Sequence, residues 1–454
     1  MTVASDFNKN MSAIAAPRSA IGVTKDAGSK TSIILYLFVL SIVIPNYFFA
    51  GTLRLTPILL ILLVTFFPLF ILWIIGYYQK TILPDYLILL YCFWSSLSLI
   101  TINGLDLSVQ PIGIIFSQTF GSYLLGRLLI RNAQQLRNIV FFAAMILTLI
   151  FPLMLYETLY FKSLYLELFA KLGPTHWNFF MDPRWGLNRV QGPFEHPILF
   201  GIFSASMLAL VFYGLNMGPL RHFRWVLLPV IVISSFISLS TGALLALIVQ
   251  GFIIAWDFVF RKDPKRWRNL IILVVAAYVT VDLISNRTPF NVFVDYATFN
   301  SGSAYNRILI WRFGTEEVYR HPIFGIGLND WVRPTWMHPS FDNFWLLQAM
   351  RYGLPAFSFM SLGFYLIYMR ASKAVFVSAD DNNIRKGLLI SLVGVFFAIS
   401  SVHLWSATYC WLIFLIGSSV WMFNDKNSSV SSLVSQEDDQ DLVPPEEKYA
   451  SNIT

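Results

Sequence analysis

Three stretches of the chain concentrate side chains that can do chemistry. The first is RWGLNRVQGPFEHPILFG over 184–201, where Arg189 opens a Gly/Pro turn and Glu195, His196 and Pro197 stand at the start of a long apolar run. A guanidinium presents a rigid fork that matches phosphate oxygens and stays charged at physiological pH, so Arg189 reads as an anion clamp with Glu195 as a candidate base beside it. The plainer alternative has Arg184 and Arg189 snorkelling to lipid headgroups while Gly-Pro shapes the turn. The second stretch runs from Arg307 and Trp311 through HPIFGIG to WVRPTWMHP at 331–339. There Arg307 or Arg333 would neutralise a diphosphate, and Trp311, Trp331 and Trp336 would stack on sugar rings or hold prenyl carbons. The competing reading is a surface helix anchored by Trp and steadied by an Arg312 to Glu316 pair. The third is the pair His338 and Asp342, four residues apart and flanking the start of a helix. With ordinary pKa values near ~6.5 and ~3.9, both can accept a proton from an attacking hydroxyl at neutral pH, and a helix N-terminus would favour ionised Asp342. Their structural alternatives are a turn residue before Pro339 and a first-turn acid. Asn343 and Trp345, which follow on that helix, are candidate substrate contacts.

These residues must be positioned by a chain whose solvent is mostly lipid. Of its 454 residues 56% are hydrophobic and 13% charged, and its mean hydropathy of +0.62 is too high for a water-soluble domain of this size. Apolar runs that could cross the bilayer fall near 31–50, 55–78, 84–102, 110–130, 137–157, 194–214, 225–239, 243–260, 269–286, 353–369, 387–404 and 407–423. The expectation is an all-α polytopic membrane protein with about twelve transmembrane helices. With the N-terminus in the cytoplasm, the inner loops carry Lys80, Arg131, Arg221, the RKDPKRWR run at 261–268 and Lys386, and the short outer loops carry almost nothing basic. That pattern satisfies the positive-inside rule and places both termini in the cytoplasm. It also accounts for the formal charge of +7 without a nucleic-acid partner.

The same assignment leaves two long loops outside, about 158–193 and 287–352, and these hold most of the outward-facing Arg, His and Trp. A membrane domain over 30–423 is flanked by a polar tail at 1–29 and an acidic tail at 424–454, both with the composition of solvated, disordered cytoplasmic segments. In the first loop, residues 161–173 have the helical spacing of a segment lying along the membrane surface. In the second, 303–322 reads as an amphipathic helix stopped at His321-Pro322 that sets Arg307 and Trp311 on one face. Residues 339–353 read as a helix capped by Ser340, with Gly353 and Pro355 marking entry to the next span.

Ionisable residues within the apolar runs lie close to their ends, as with Asp85, Arg127, Glu157, Asp257, Asp282 and His403. This argues against an ion-coupled transporter and leaves a carrier of neutral substrates open. Cys92 and Cys410 both fall inside apolar runs, which supports neither a disulfide framework nor a thiolate metal site. The outer loops contain no Asp-x-Asp or paired-His spacing, so no metal or other cofactor is expected, and Arg would take the place of a divalent cation at a diphosphate.

RVQGPFEHPILFG at 189–201, STGALLAL at 240–247, RILIWRFGTEEVYRHPIFGIG at 307–327 and DNFWLLQAMRYGLPAF at 342–357 together resemble the O-antigen ligase and polymerase family of bacterial envelope glycosyltransferases, over about 31–423. HPIFGIG after an Arg-x-x-x-Trp helix is the most specific of these motifs. The resemblance implies a GT-C-like helical fold in the inner membrane. It also implies an inverting, metal-independent transfer of glycan from an undecaprenyl-diphosphate carrier to a sugar hydroxyl on the periplasmic face. The Arg residues that the family associates with diphosphate correspond to Arg189 and Arg307. Asp342 stands where family ligases carry His before the Asn, the nearest His being His338, and Thr241 stands where relatives often have Arg. DNFWL with GPFEHP is most similar to exopolysaccharide or capsule polymerases of the Wzy type. A ligase transferring finished glycan to lipid A core is the alternative within the family, and a flippase or transporter of lipid-linked sugars is the alternative outside it. The implied partners are the lipid-linked donor, a glycan acceptor, the bilayer, and chain-length regulator and flippase proteins.

Overall fold

Within about 30 Å of hydrocarbon a backbone satisfies its polar groups as a helix or a closed barrel, and alternation of period two is missing from the long apolar runs. The computed structural model describes residues 30–178, 181–286, 288, 292 and 301–423, and its apolar runs are helices. The tails expected over 1–29 and 424–454 lie outside the described residues, as do parts of both long loops.

The helices run in the order α1 (Ile33–Ile42), α2 (Pro57–Ile74), α3 (Leu83–Asn103), α4 (Leu105–Ile115), α5 (Ser122–Leu129), α6 (Ala133–Tyr160), α7 (Leu164–Ala170), α8 (Pro197–Ser206) and α9 (Leu208–Gly214). They continue with α10 (Arg224–Ile237), α11 (Thr241–Val259), α12 (Arg266–Ile284), α13 (Ser301–Arg320), α14 (Phe344–Lys373), α15 (Ala379–Ile399) and α16 (Ser406–Gly417). The protein is thus a largely helical, multi-spanning membrane protein. Among the described residues, however, nine helical stretches rather than twelve are long and apolar enough to cross a bilayer. Those near 33–42 and 224–237 are apolar but short. The run expected as one span over 110–130 contains Pro111 and is interrupted by a π-helical turn at Phe116–Gly121 between α4 and α5. The end of the first expected span is instead an antiparallel hairpin, Phe48–Ala50 against Leu53–Leu55.

Packing follows the small residues. α5 crosses α16 where Gly126 meets the backbone of Phe414 and Gly417 meets that of Tyr123; a Cβ at either position would strike a carbonyl. α3 lies along α14, and α15 along α9 and α11. Asp85 and Arg127 are fully buried and paired at 3.3 Å. The Asp85 carboxylate also accepts Tyr123 Oη–H at 2.5 Å and Trp73 Nε1–H at 3.0 Å, so hydrogen bonds from α2 and α5 converge on this carboxylate of α3.

The two loop helices differ in detail from expectation. The surface segment forms a helix only over α7. α13 ends at Arg320, immediately before His321-Pro322, as the proline requires, and the expected Arg312 to Glu316 contact is present at 3.8 Å. The cap of α14 is Asn343, whose side chain accepts Leu346 N–H at 3.0 Å, and not Ser340. Asp342 therefore precedes the helix rather than lying in its first turn. α14 bends at Gly353, which has φ 83° and ψ 168°. HPIFGIG fills this bend: Ile326 N–H and Gly327 N–H donate to the Met350 and Arg351 carbonyls at 2.9 Å each, and Leu354 N–H donates to Pro322 O at 2.8 Å. The motif is a backbone wedge between α3, α13 and α14.

Candidate functional site

The Arg189 loop is held at both ends by backbone. Asn188 N–H donates to Thr158 O at 3.1 Å, and Val190 N–H donates to Ile237 O, the last residue of α10, also at 3.1 Å. Glu157, at the end of α6, accepts Gln191 N–H at 2.8 Å and Gly192 N–H at 3.3 Å on one oxygen, and Ser163 Oγ–H at 2.8 Å on the other. A carboxylate saturated by such donors fixes the turn that opens with Arg189. Arg189 is 8% exposed; its Nη1 donates to Met181 Sδ at 3.1 Å, and its Nε is buried without a partner.

Arg307 reaches the same region from α13. It is buried, and its Nε–H donates to Ser401 O at 2.8 Å. The next residue, Val402, accepts Phe344 N–H at 3.1 Å, so one short loop holds both Arg307 and the start of α14, where Asp342 lies. Arg184, Arg189, Arg307 and Asp342 consequently interact as one charged cluster, with His338 beside Asp342 and His196 beside the two loop arginines. Burial, reinforced by Arg184 and Arg307 and opposed by Asp342, pushes the Arg189 guanidinium down to about 10, still protonated at neutral pH. Burial lowers Arg307 in the same direction. Asp342 moves the other way: burial raises its carboxyl above the usual range, and Arg307, His338 and Arg189 oppose that shift. Burial, Arg189 and Arg184 together hold His196 down to about 4, a neutral ring whose Nδ1 accepts Ile198 N–H at 3.1 Å.

The structure thus brings together Arg189, Arg307, Asp342 and His338, and places the other expected residues elsewhere or in structural contacts. His338 is exposed, with Nδ1 accepting Ser340 N–H at 3.1 Å. Glu195 belongs to a separate group: Ser406 Oγ–H donates to it at 3.0 Å, and Arg54 and His176 lie 3.7 and 3.5 Å away. Arg333 pairs with Asp330 at 2.7 Å. Asn343 is a buried helix cap. Trp311 is 43% exposed one turn beyond buried Arg307, so the two share a face but differ in depth. Trp345 packs against Phe344, Phe364 and Phe396 and lines an apolar recess of about 400 Å³ between α14 and α15. Among the described residues no group of three or more His, Cys, Asp or Glu side chains is arranged to hold a metal ion.

Sequence reasoning left three contributors unassigned. Glu157 read as another span-end charge, although its distance from a Gly-rich turn could not be judged from residue spacing. Arg184 read as a headgroup contact. The Ser401 and Val402 carbonyls carry no side-chain signal at all.

The fold and this cluster define a polytopic helical membrane protein with a cationic site built on the loops that join its helices. Residues 225–361 match the model of the O-antigen ligase family, and over that segment the chain is similar to it. The match is narrower than the stretch over which the motifs were read. It contains Arg307, His338 and Asp342, while Arg184, Arg189 and Glu195 lie before it. No curated protein matches the chain.

Proposed function

We propose that the protein is a membrane glycosyltransferase that polymerises undecaprenyl-diphosphate-linked repeat units into exopolysaccharide, capsule or O-antigen on the periplasmic face of the inner membrane. The observation that carries this reading is the convergence of Arg189 and Arg307 on Asp342 from separate parts of the chain. Arg189 and Arg307 hold the donor diphosphate and supply the positive charge that a divalent cation would otherwise bring. Asp342 takes the proton from the acceptor hydroxyl, and the resulting oxygen attacks the anomeric carbon opposite the diphosphate. As the new C–O bond forms, the bond to the diphosphate breaks with inversion, and the leaving oxygen's charge is taken up by the two guanidiniums. His338, exposed beside Asp342, passes the proton to solvent.

The surrounding residues fit supporting roles. Glu195 positions the GPFEHP turn through Ser406 and Arg54, Asn343 caps α14, Arg333 steadies its own loop, and Trp311 offers a face to sugars. The apolar recess at Trp345 supports a prenyl-bearing donor. A GT-C-like arrangement of about twelve spans, counting the short helices α1 and α10 and the broken α4–α5 run with the nine long stretches, belongs to the same proposal, with both termini in the cytoplasm as the basic residues of alternate loops support. So do the membrane domain over 30–423 and association with chain-length regulator and flippase proteins.

The family match favours a second reading, transfer of finished glycan to lipid A core. A deletion strain separates the readings. Loss of a polymerase leaves single lipid-linked units outside, loss of a ligase leaves long lipid-linked chains unattached, and accumulation on the cytoplasmic leaflet would indicate a flippase instead. In that strain Arg189→Ala and Arg307→Ala proteins, present at normal levels, are expected not to restore long-chain polysaccharide; full restoration would overturn the clamp.

A further inference from the structure

Arg184 stands at the base of a tight hairpin. Arg184 and Leu187 exchange N–H···O hydrogen bonds at 3.0 Å in both directions, and the two residues between them, Trp185 and Gly186, have φ of 53° and 74°. Positive φ at both central positions is the signature of a type I′ turn, the connection that best matches strand twist. Trp185 is an unusual residue for this conformation. Its ring stacks on Phe236 of α10 at 6.1 Å, which holds the hairpin against that helix. The Arg184 side chain then donates from Nη1 to the carbonyl of Leu239 at 2.6 Å. Leu239 is itself left-handed, with φ 46°, in the turn between α10 and α11. Two non-glycine residues in a sparsely populated conformation thus meet across one Arg–carbonyl bond, a pattern found where surrounding structure enforces a functional geometry.

That bond uses one of the five N–H donors of the guanidinium. Among the described residues the Arg184 side chain makes no other hydrogen bond and no ion pair, and its charge lies within interaction range of Arg189, Arg307 and His196. Arg184 is therefore a third guanidinium beside Arg189 and Arg307, the two that act on Asp342. The single carboxylate of Asp342 does not balance three guanidiniums, and the buried, unpartnered Nε of Arg189 is a second donor awaiting an acceptor there.

We infer that Arg184 is a third anion-binding residue of this site, holding the second phosphate of the diphosphate from the first long loop, opposite Arg307. The inference rests on the function proposed above. It assigns to the hairpin the role of presenting a cation at the turn between α10 and α11, where Arg184 is anchored on the Leu239 carbonyl.

Full-length protein in lipid nanodiscs, titrated with undecaprenyl diphosphate and undecaprenyl monophosphate, tests it. Removing a charge-assisted hydrogen bond by Arg184→Ala is expected to weaken diphosphate binding about 10- to 100-fold while leaving monophosphate binding within about two-fold. Arg184→Lys, which keeps the charge and loses the fork, is expected to fall between wild type and Arg184→Ala. Unchanged diphosphate affinity in Arg184→Ala would overturn the inference. So would an equal loss for both lipids accompanied by a lower melting temperature, which marks a hairpin that is only structural. If Arg189→Ala and Arg307→Ala also bind the diphosphate normally, the proposed function fails with it; if they lose binding while Arg184→Ala does not, the function stands and the third cation falls.

Discussion

Asp342 is the residue at which sequence position and environment diverge most. A carboxylate in a first helical turn would be stabilised in its ionised form. Instead Asp342 sits one residue before the Asn343 cap and is partly buried, and its affinity for a proton rises above that of an ordinary Asp despite two arginines nearby. A base with a raised pKa is a better proton acceptor at neutral pH. Asp342→Asn is therefore expected to lower turnover by about 10² to 10⁴-fold with little change in donor affinity. The pH dependence has a defined sign. Activity needs the deprotonated carboxylate, so it falls on acidification above the usual carboxylate range. The folded protein, by contrast, binds this proton more tightly than the unfolded chain, so the stability penalty of burying Asp342 is present at high pH and relieved as pH drops. Turnover and melting temperature measured on one pH series should move in opposite directions across that window; a parallel fall in both would assign the acid limb to unfolding.

The elements show why some features were legible and others were not. The stop of α13 follows from His321-Pro322, and the bend of α14 follows from Gly353 and Pro355, because proline and positive-φ glycine act locally. The cap of α14 does not follow locally. Ser340, Asp342 and Asn343 are all good caps, and the choice is made by a distant carbonyl, that of Val402, which takes the Phe344 N–H. HPIFGIG, the most specific motif in the sequence, proves to be the wedge that satisfies backbone groups at the bend. Gly353→Ala would force a Cβ into the Ile323 carbonyl at a backbone geometry that favours glycine, and is expected to destabilise by at least about 1–3 kcal/mol. Thermal unfolding in detergent measures it, and a melting temperature equal to wild type would show that the bend can relax. At the other loop, Glu157→Gln exchanges the saturated acceptor of the Arg189 turn for a weaker one. It is expected to weaken undecaprenyl diphosphate binding severalfold without altering pairing at Asp85, so its melting temperature should fall little. Binding equal to wild type would show that the turn holds without the carboxylate's charge.

At the scale of the molecule, hydropathy made the helical membrane class plain but overstated its regularity. A window of apolar residues does not distinguish a straight span from one broken by a π turn, such as the segment around 116–121, or from a short helix followed by a hairpin. The cluster was half legible: Arg189 and Arg307 could be picked out by type and context, whereas Arg184 and the carbonyls of 401–402 owe their importance to tertiary approach. Away from the loops, Asp85 and Arg127 tie α2, α3 and α5 together in a place where an unpaired charge has no water. Asp85→Ala is expected to destabilise by about 3–5 kcal/mol, and an apolar replacement of both partners by much less. Comparing the single and double variants by thermal unfolding checks this, with equal losses in both counting against a desolvation effect.

The loop at Ser401 and Val402 also sets a timetable. A nascent chain that has emerged through α14 already contains Arg184, Arg189, Arg307 and Asp342, yet the two carbonyls that seat Arg307 and the start of α14 are still to be synthesised. The gathering of positive charge is completed only as the final helices insert. Ribosomal products truncated before that loop should carry the charged residues of the site and still lack its assembled form.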